Sequence, residues 1–138
     1  MRTATIFWIL LLLIGCGGVG QIRMMPRDGG ALSTGKVVGD GASTATMEIT
    51  IEGEIFTGLF VQATSNEQFG LVQQFGRGSS STAIGMTGGG TRILKGIFSS
   101  SSGRGMRCET TATGNGGAGI CVDDKSRVYD FTIHRTGY

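Results

Sequence analysis

The chain has 138 residues, a formal charge of +2, one histidine, one proline, three cysteines and 26 glycines. That length suits one domain, and the glycines follow no three-residue period, which excludes collagen. Gly, Ser and Thr interrupt every stretch long enough for an all-helical protein, and the small, scattered charge excludes a nucleic-acid binder, which needs a basic face.

Met1-Arg2 makes a short positive start, and residues 3–14 are an apolar run containing Phe7, Trp8 and Leu10 to Leu13. A membrane-spanning helix needs about 20 apolar residues, so the run is too short to cross. Charge, apolar run and small residues in that order predict a secretory signal helix that is cleaved. Within it, Leu13-Ile14-Gly15-Cys16 resembles the lipobox of bacterial lipoproteins. In that family the Cys thiol receives a diacylglyceryl group, the peptide before it is removed, and the new amino terminus is acylated, with palmitate the expected chain. The resemblance implies that residues 1–15 are a signal peptide and that Cys16 is the lipidated residue. Several acyl chains on one residue make a stable anchor, because each buried CH₂ contributes about 0.8 kcal/mol. Gly17 follows Cys16, where an Asp would retain an enteric lipoprotein in the inner membrane. The resemblance therefore implies the outer membrane, with the folded part facing the periplasm.

Residues 16–42 are rich in glycine, carry Pro26 and show little periodicity. They read as a flexible tether, with Val37-Val38 the one short strand candidate. Residues 43–138 are then the β-domain. Thr46 to Glu52 alternates apolar and polar, the mark of a half-buried strand. After a turn at Gly53, residues 55–63 form a second strand with Ile55, Leu59 and Val61 on one face and Phe56 and Phe60 on the other. Apolar residues on both faces predict that both are covered. Residues 67–75 and 81–86 are weaker strand candidates. Residues 91–99, 106–113, 119–123 and 128–134 follow at short spacing, and in the last of these Tyr129, Phe131 and Ile133 share one face. The pattern predicts an all-β fold: an antiparallel meander of about seven strands, closed as a small barrel or folded as a sandwich.

With Cys16 acylated, Cys108 and Cys121 remain as an even pair in an oxidising compartment. Their midpoint falls inside the turn sequence Gly114-Asn115-Gly116-Gly117. A hairpin centred there sets the two cysteines opposite each other, close enough to bridge. A structural disulfide is the expectation; without a CxxC spacing or a neighbouring histidine, a redox or metal pair has little support.

Two nucleotide-binding patterns fail on context. Gly30-Ala31-Leu32-Ser33-Thr34-Gly35-Lys36 has Val37 where a P-loop needs the Ser or Thr that holds Mg²⁺. Gly114-Asn115-Gly116-Gly117-Ala118-Gly119 runs into a strand instead of a helix. No cofactor or metal is expected. His134 is the only histidine and lies on the outward face of the last strand. Asp123-Asp124 beside Lys125 reads as a solvated turn, and Glu48, Glu52 and Glu54 as carboxylates on a wet strand face.

The ending Met106-Arg107-Cys108, Gly117-Ala118-Gly119-Ile120-Cys121 and Tyr129-Asp130-Phe131 resembles that of small exported proteobacterial proteins of uncharacterised function. It brings no activity with it. The expectation is a non-enzymatic, lipid-anchored envelope module whose partners are the membrane, through its lipid, and an envelope protein or polymer, recruited by strand addition at a free sheet edge. The alternative is an inhibitor of an envelope hydrolase, lysozyme-inhibitor-like by analogy only. It would use the loop 99–105, in which Arg104 stands.

Overall fold

A computed structural model describes residues 17–40, 43–63, 90 and 92–137. The signal segment, Cys16 and the strand candidates at 67–75 and 81–86 lie outside the described residues. Among the described residues, eight strands follow in chain order: β1 (Val19–Pro26), β2 (Ser33–Gly39), β3 (Thr44–Ile51), β4 (Glu54–Ala63), β5 (Arg92–Ser100), β6 (Gly105–Thr113), β7 (Gly116–Asp123) and β8 (Val128–Gly137). Each pairs antiparallel with its neighbour, and β1 pairs with β8 to close the barrel.

The expected all-β meander is present, and it closes as a barrel. Two expectations are corrected. The stretch 16–42 is not a tether, because β1 and β2 occupy most of it as full barrel staves. Their signal is visible once β1 is read in phase: Gly20, Ile22, Met24 and Pro26 alternate strictly with exposed Val19, Gln21, Arg23 and Met25. Glycine at two inward positions, Gly20 and Gly35, masks that period from a count of apolar side chains. The second correction concerns strand addition. Closure pairs the first and last strands, so no free edge stands between them to accept another strand.

Inside, the core is Ile22, Met24, Met47, Ile49, Phe56, Phe60, Phe98, Met106, Phe131 and their neighbours. Phe60 packs edge-on against Phe98 with centroids 4.9 Å apart, and Phe131 lies 6.1 Å on its other side. So narrow a cylinder takes these rings only if facing positions are small. Gly58, Gly96 and Gly119 supply that space, for a Cβ on Gly96 would stand 2.5 Å from the Phe98 ring. The outward side carries charge in mid-strand at Arg23, Lys36, Glu48, Arg107 and Asp130. An apolar lumen with a charged exterior reverses the pattern of barrels that cross a bilayer. On β4 the expected cover is missing on one side: Leu59 and its β5 partner Ile97 are 46% and 62% exposed.

The turn between β3 and β4 has two residues, both in the left-handed region (Glu52 φ 51°, Gly53 φ 81°). This is the twist-matched hairpin geometry that joins adjacent strands most tightly. The β6–β7 hairpin turns at Gly114-Asn115 and brings Cys108 opposite Cys121, with Cα atoms 4.0 Å apart and the sulfurs at bonding distance. The pair lies in the lumen, fully buried.

Candidate functional site

The two ends of the barrel have opposite chemistry. At one end, charged side chains close the lumen. Asp123 ends β7 facing inward and is 6% exposed. Its Oδ1 accepts hydrogen bonds from the backbone N–H groups of Lys125 and Arg127, both at 2.9 Å. Its Oδ2 accepts from the Tyr129 hydroxyl at 3.0 Å and from Arg104 Nη2 at 2.9 Å. Four donors thus satisfy one buried carboxylate, which makes its burial tolerable. The expectation of a solvated turn is corrected at this residue: Asp123 is the post to which the β7–β8 turn is tied.

Arg104 lies across the same end. Its guanidinium also donates to Glu54 Oε2 at 3.2 Å and sits 5.4 Å from the Phe56 ring centroid. Glu54 accepts from the hydroxyls of Ser100 and Ser102 as well. Those hydrogen bonds, Ser100's first, hold its carboxyl below the ordinary glutamate range. Glu54 is therefore not on a wet face. It is in phase with Phe56 and closes the barrel end, while Glu48 stays outward, 4.0 Å from Lys36. A second arginine, Arg127, binds Glu52 at 2.7 Å and Asp28 at 3.0 Å and lies 5.6 Å over the Tyr129 ring. Its pKa is raised, chiefly by the hydrogen bond with Glu52. Burial, then the hydrogen bond to Asp123, raises the Tyr129 phenol. The loop carrying Arg104 thus turns its charge inward, onto Glu54 and Asp123.

The opposite end is apolar and hollow. Gly20, Val37, Ala45, Leu94, Ala112 and Ile133 line a cup of about 140 Å³ at the strand termini. Among the described residues there, most are small or aliphatic, and Arg135 is the one charged side chain. Its Nη1 donates to the Gly114 carbonyl at 3.1 Å, and its guanidinium packs over Gly18, where a Cβ would stand 3.1 Å from Nη2. The chain enters at this end. Gly18 is fixed to the end of β2, its carbonyl accepting from the Gly39 N–H at 2.8 Å. β4 ends and β5 begins at this end as well.

Of the residues singled out from sequence, Cys108 and Cys121 meet in the lumen and Cys16 lies outside the described residues. His134 is outward, opposite Gln21 and Gly116, and Asp130, also outward, is paired with Arg27 at 2.8 Å. The structure does not gather these two into a site. The P-loop-like stretch is the β1–β2 turn and the start of β2, and the GxGxxG stretch is the β6–β7 hairpin. The residues that sequence reading missed are the small inward ones at the strand ends, such as Ala45 and Ala112. Extending each strand's period-two phase to its last residue would have found them. Comparison with protein-family models, with curated proteins and with solved structures gives no match to this chain.

Proposed function

We propose that this protein is a lipid-anchored, non-enzymatic binding module of the bacterial cell envelope. Acylated Cys16 holds it to the outer membrane, and its barrel faces the periplasm. The observation that supports this best is the asymmetry of the barrel. One end is filled by mutually paired charges, and the other is an apolar cup beside the point where the chain enters. Ligands of small barrels sit in such mouths. The reach from Cys16 to Gly18, which is pinned to β2, is two residues, or at most about 7 Å. An anchor on Cys16 therefore holds the cup against the bilayer surface, with the charged end pointing away.

The direct test is an intact mass of the protein isolated from a membrane fraction, with and without reductant. A chain starting at triacylated Cys16 that gains two hydrogens on reduction is expected. A chain retaining residues 1–15, or beginning at unmodified Cys16, would overturn the anchor and the compartment with it. Binding of the lipidated protein to envelope proteins and polymers is then measured by dose-dependent retention, and its absence would overturn the binding role.

A further inference from the structure

We propose that the cup at the barrel mouth seats the end of a linear hydrocarbon chain, and that its occupant is an acyl chain of the anchor on Cys16. This rests on the lipidation reading above for its source, but not for its chemistry. The chemistry comes from the lining. Val37, Leu94 and Ile133 supply aliphatic walls, while Gly20, Ala45 and Ala112 leave the space. At about 140 Å³, the cup matches in volume the roughly 150 Å³ enclosed apolar cavity that takes up benzene, though it opens to solvent. That is room for the last few carbons of one chain, not for a head group. The polar groups that would orient a sugar or peptide are scarce, for among the described residues of the lining only Thr113 and Arg135 have polar side chains.

The source follows from reach. Gly17 is already at the rim, where a Cβ would touch the carbonyl of Gly39. A chain on the preceding residue is held within a few ångströms of the mouth and presents itself at high effective concentration. The barrel thereby takes up one acyl end of its own anchor while the remaining chains hold the bilayer.

Two measurements separate the chemistry from the source. The chain from Gly17 to Tyr138, which carries all eight strands and their closing pair, is titrated with hexanoate, octanoate and decanoate below their micelle concentrations. Intermolecular nuclear Overhauser effects from the probe's terminal methyl to Ala45, Ala112 and Ile133 are expected. Affinity should rise about fourfold per added CH₂ until the cup is full. Ala112→Phe should weaken octanoate at least about tenfold, the equivalent of 1.4 kcal/mol. The assignment of effects in the unsubstituted chain decides the matter even if that variant fails to fold. Effects confined to other surfaces, or cup methyls already in contact with residues 64–91 and unmoved by the probe, would overturn the site.

The lipidated protein is then placed in nanodiscs of chain-deuterated phosphatidylcholine. Contacts from the cup methyls to the remaining protonated acyl chain identify the anchor as occupant. Contacts that appear only with protonated phospholipid, or none at all, would overturn the anchor as source. Failure of acylation itself shows separately, as an unmodified Cys16 in the intact mass, and leaves the titration standing.

Discussion

Asp123 shows how much one side chain can carry in a barrel this small. It is buried, accepts from four donors, and joins the β7–β8 turn to Tyr129 and Arg104. Removing it takes the acceptor from the buried Tyr129 hydroxyl and from two backbone N–H groups, and leaves Arg104 only its contacts with Glu54 and Asp124, the costly way to break a pair. Asp123→Ala should lower unfolding stability by about 3 kcal/mol, read as a shift of the urea midpoint. Tyr129→Phe, which removes only the neutral donor, should cost nearer 1 kcal/mol.

The same end gives the protein two pH limits, of opposite sign. Tyr129 has its folded pKa raised above the ordinary 10.0. Its contribution is therefore full below pH 10 and is lost as pH rises from there through the folded value. Phenolate absorbance attributable to Tyr129, taken as the difference from Tyr129→Phe, should appear only above pH 10. Glu54 has its folded pKa lowered, so its contribution is present above the unfolded value, about 4.3, and disappears as pH falls through the folded one. Urea midpoints measured from pH 6 to pH 2 should drop more steeply for the native sequence than for Glu54→Gln.

At the scale of the strand, glycine is a packing residue here more than a turn residue. Gly96 faces inward between Phe60 and Cys108 in the register, and the Phe98 ring occupies the space its side chain would need. Gly96→Ala should cost about 1–3 kcal/mol through overpacking. Adding Phe98→Leu should recover part of that loss in a double-mutant cycle, an outcome that a purely conformational effect of glycine would not produce. The same residues explain what was legible beforehand. Strands whose inward positions are large, such as Met47, Ile49 and Ile51 of β3, announced themselves by alternation, and β5 to β8 were found within a few residues of their ends. In β1 and β2 the inward face includes Gly20 and Gly35, so composition read as linker where pairing made strand. The disulfide was legible because one hairpin fixes both partners. The sealing arginines were not, because Arg104 meets Glu54 and Asp123 across 50 and 19 residues of sequence, a distance no local pattern spans.

For the whole molecule, the covalent tie and the closing strand pair act on the unfolded chain as much as on the native one. The Cys108–Cys121 bridge spans 13 residues of sequence, and closing such a loop is worth about 3 kcal/mol in the chain-entropy model. For a domain whose net stability is on the order of 5–15 kcal/mol, that is a large share. Reduction, or joint replacement by Cys108→Ala and Cys121→Ala, should lower the unfolding free energy by that amount, read from urea unfolding curves, and leave the barrel's far-ultraviolet signature unchanged under native conditions.

The pairing of β1 with β8 has a consequence for biogenesis. The first stave to leave the ribosome or a translocation channel can complete its hydrogen bonds only when the last has emerged, about a hundred residues later. Contacts of such long range form slowly, so the barrel shuts only once its final strand is delivered. A product halted before Val128 would expose both β1 and β7 as raw margins, each able to zip onto another truncated copy. The last ten-residue strand is therefore the latch that separates a closed cylinder from an aggregating ribbon.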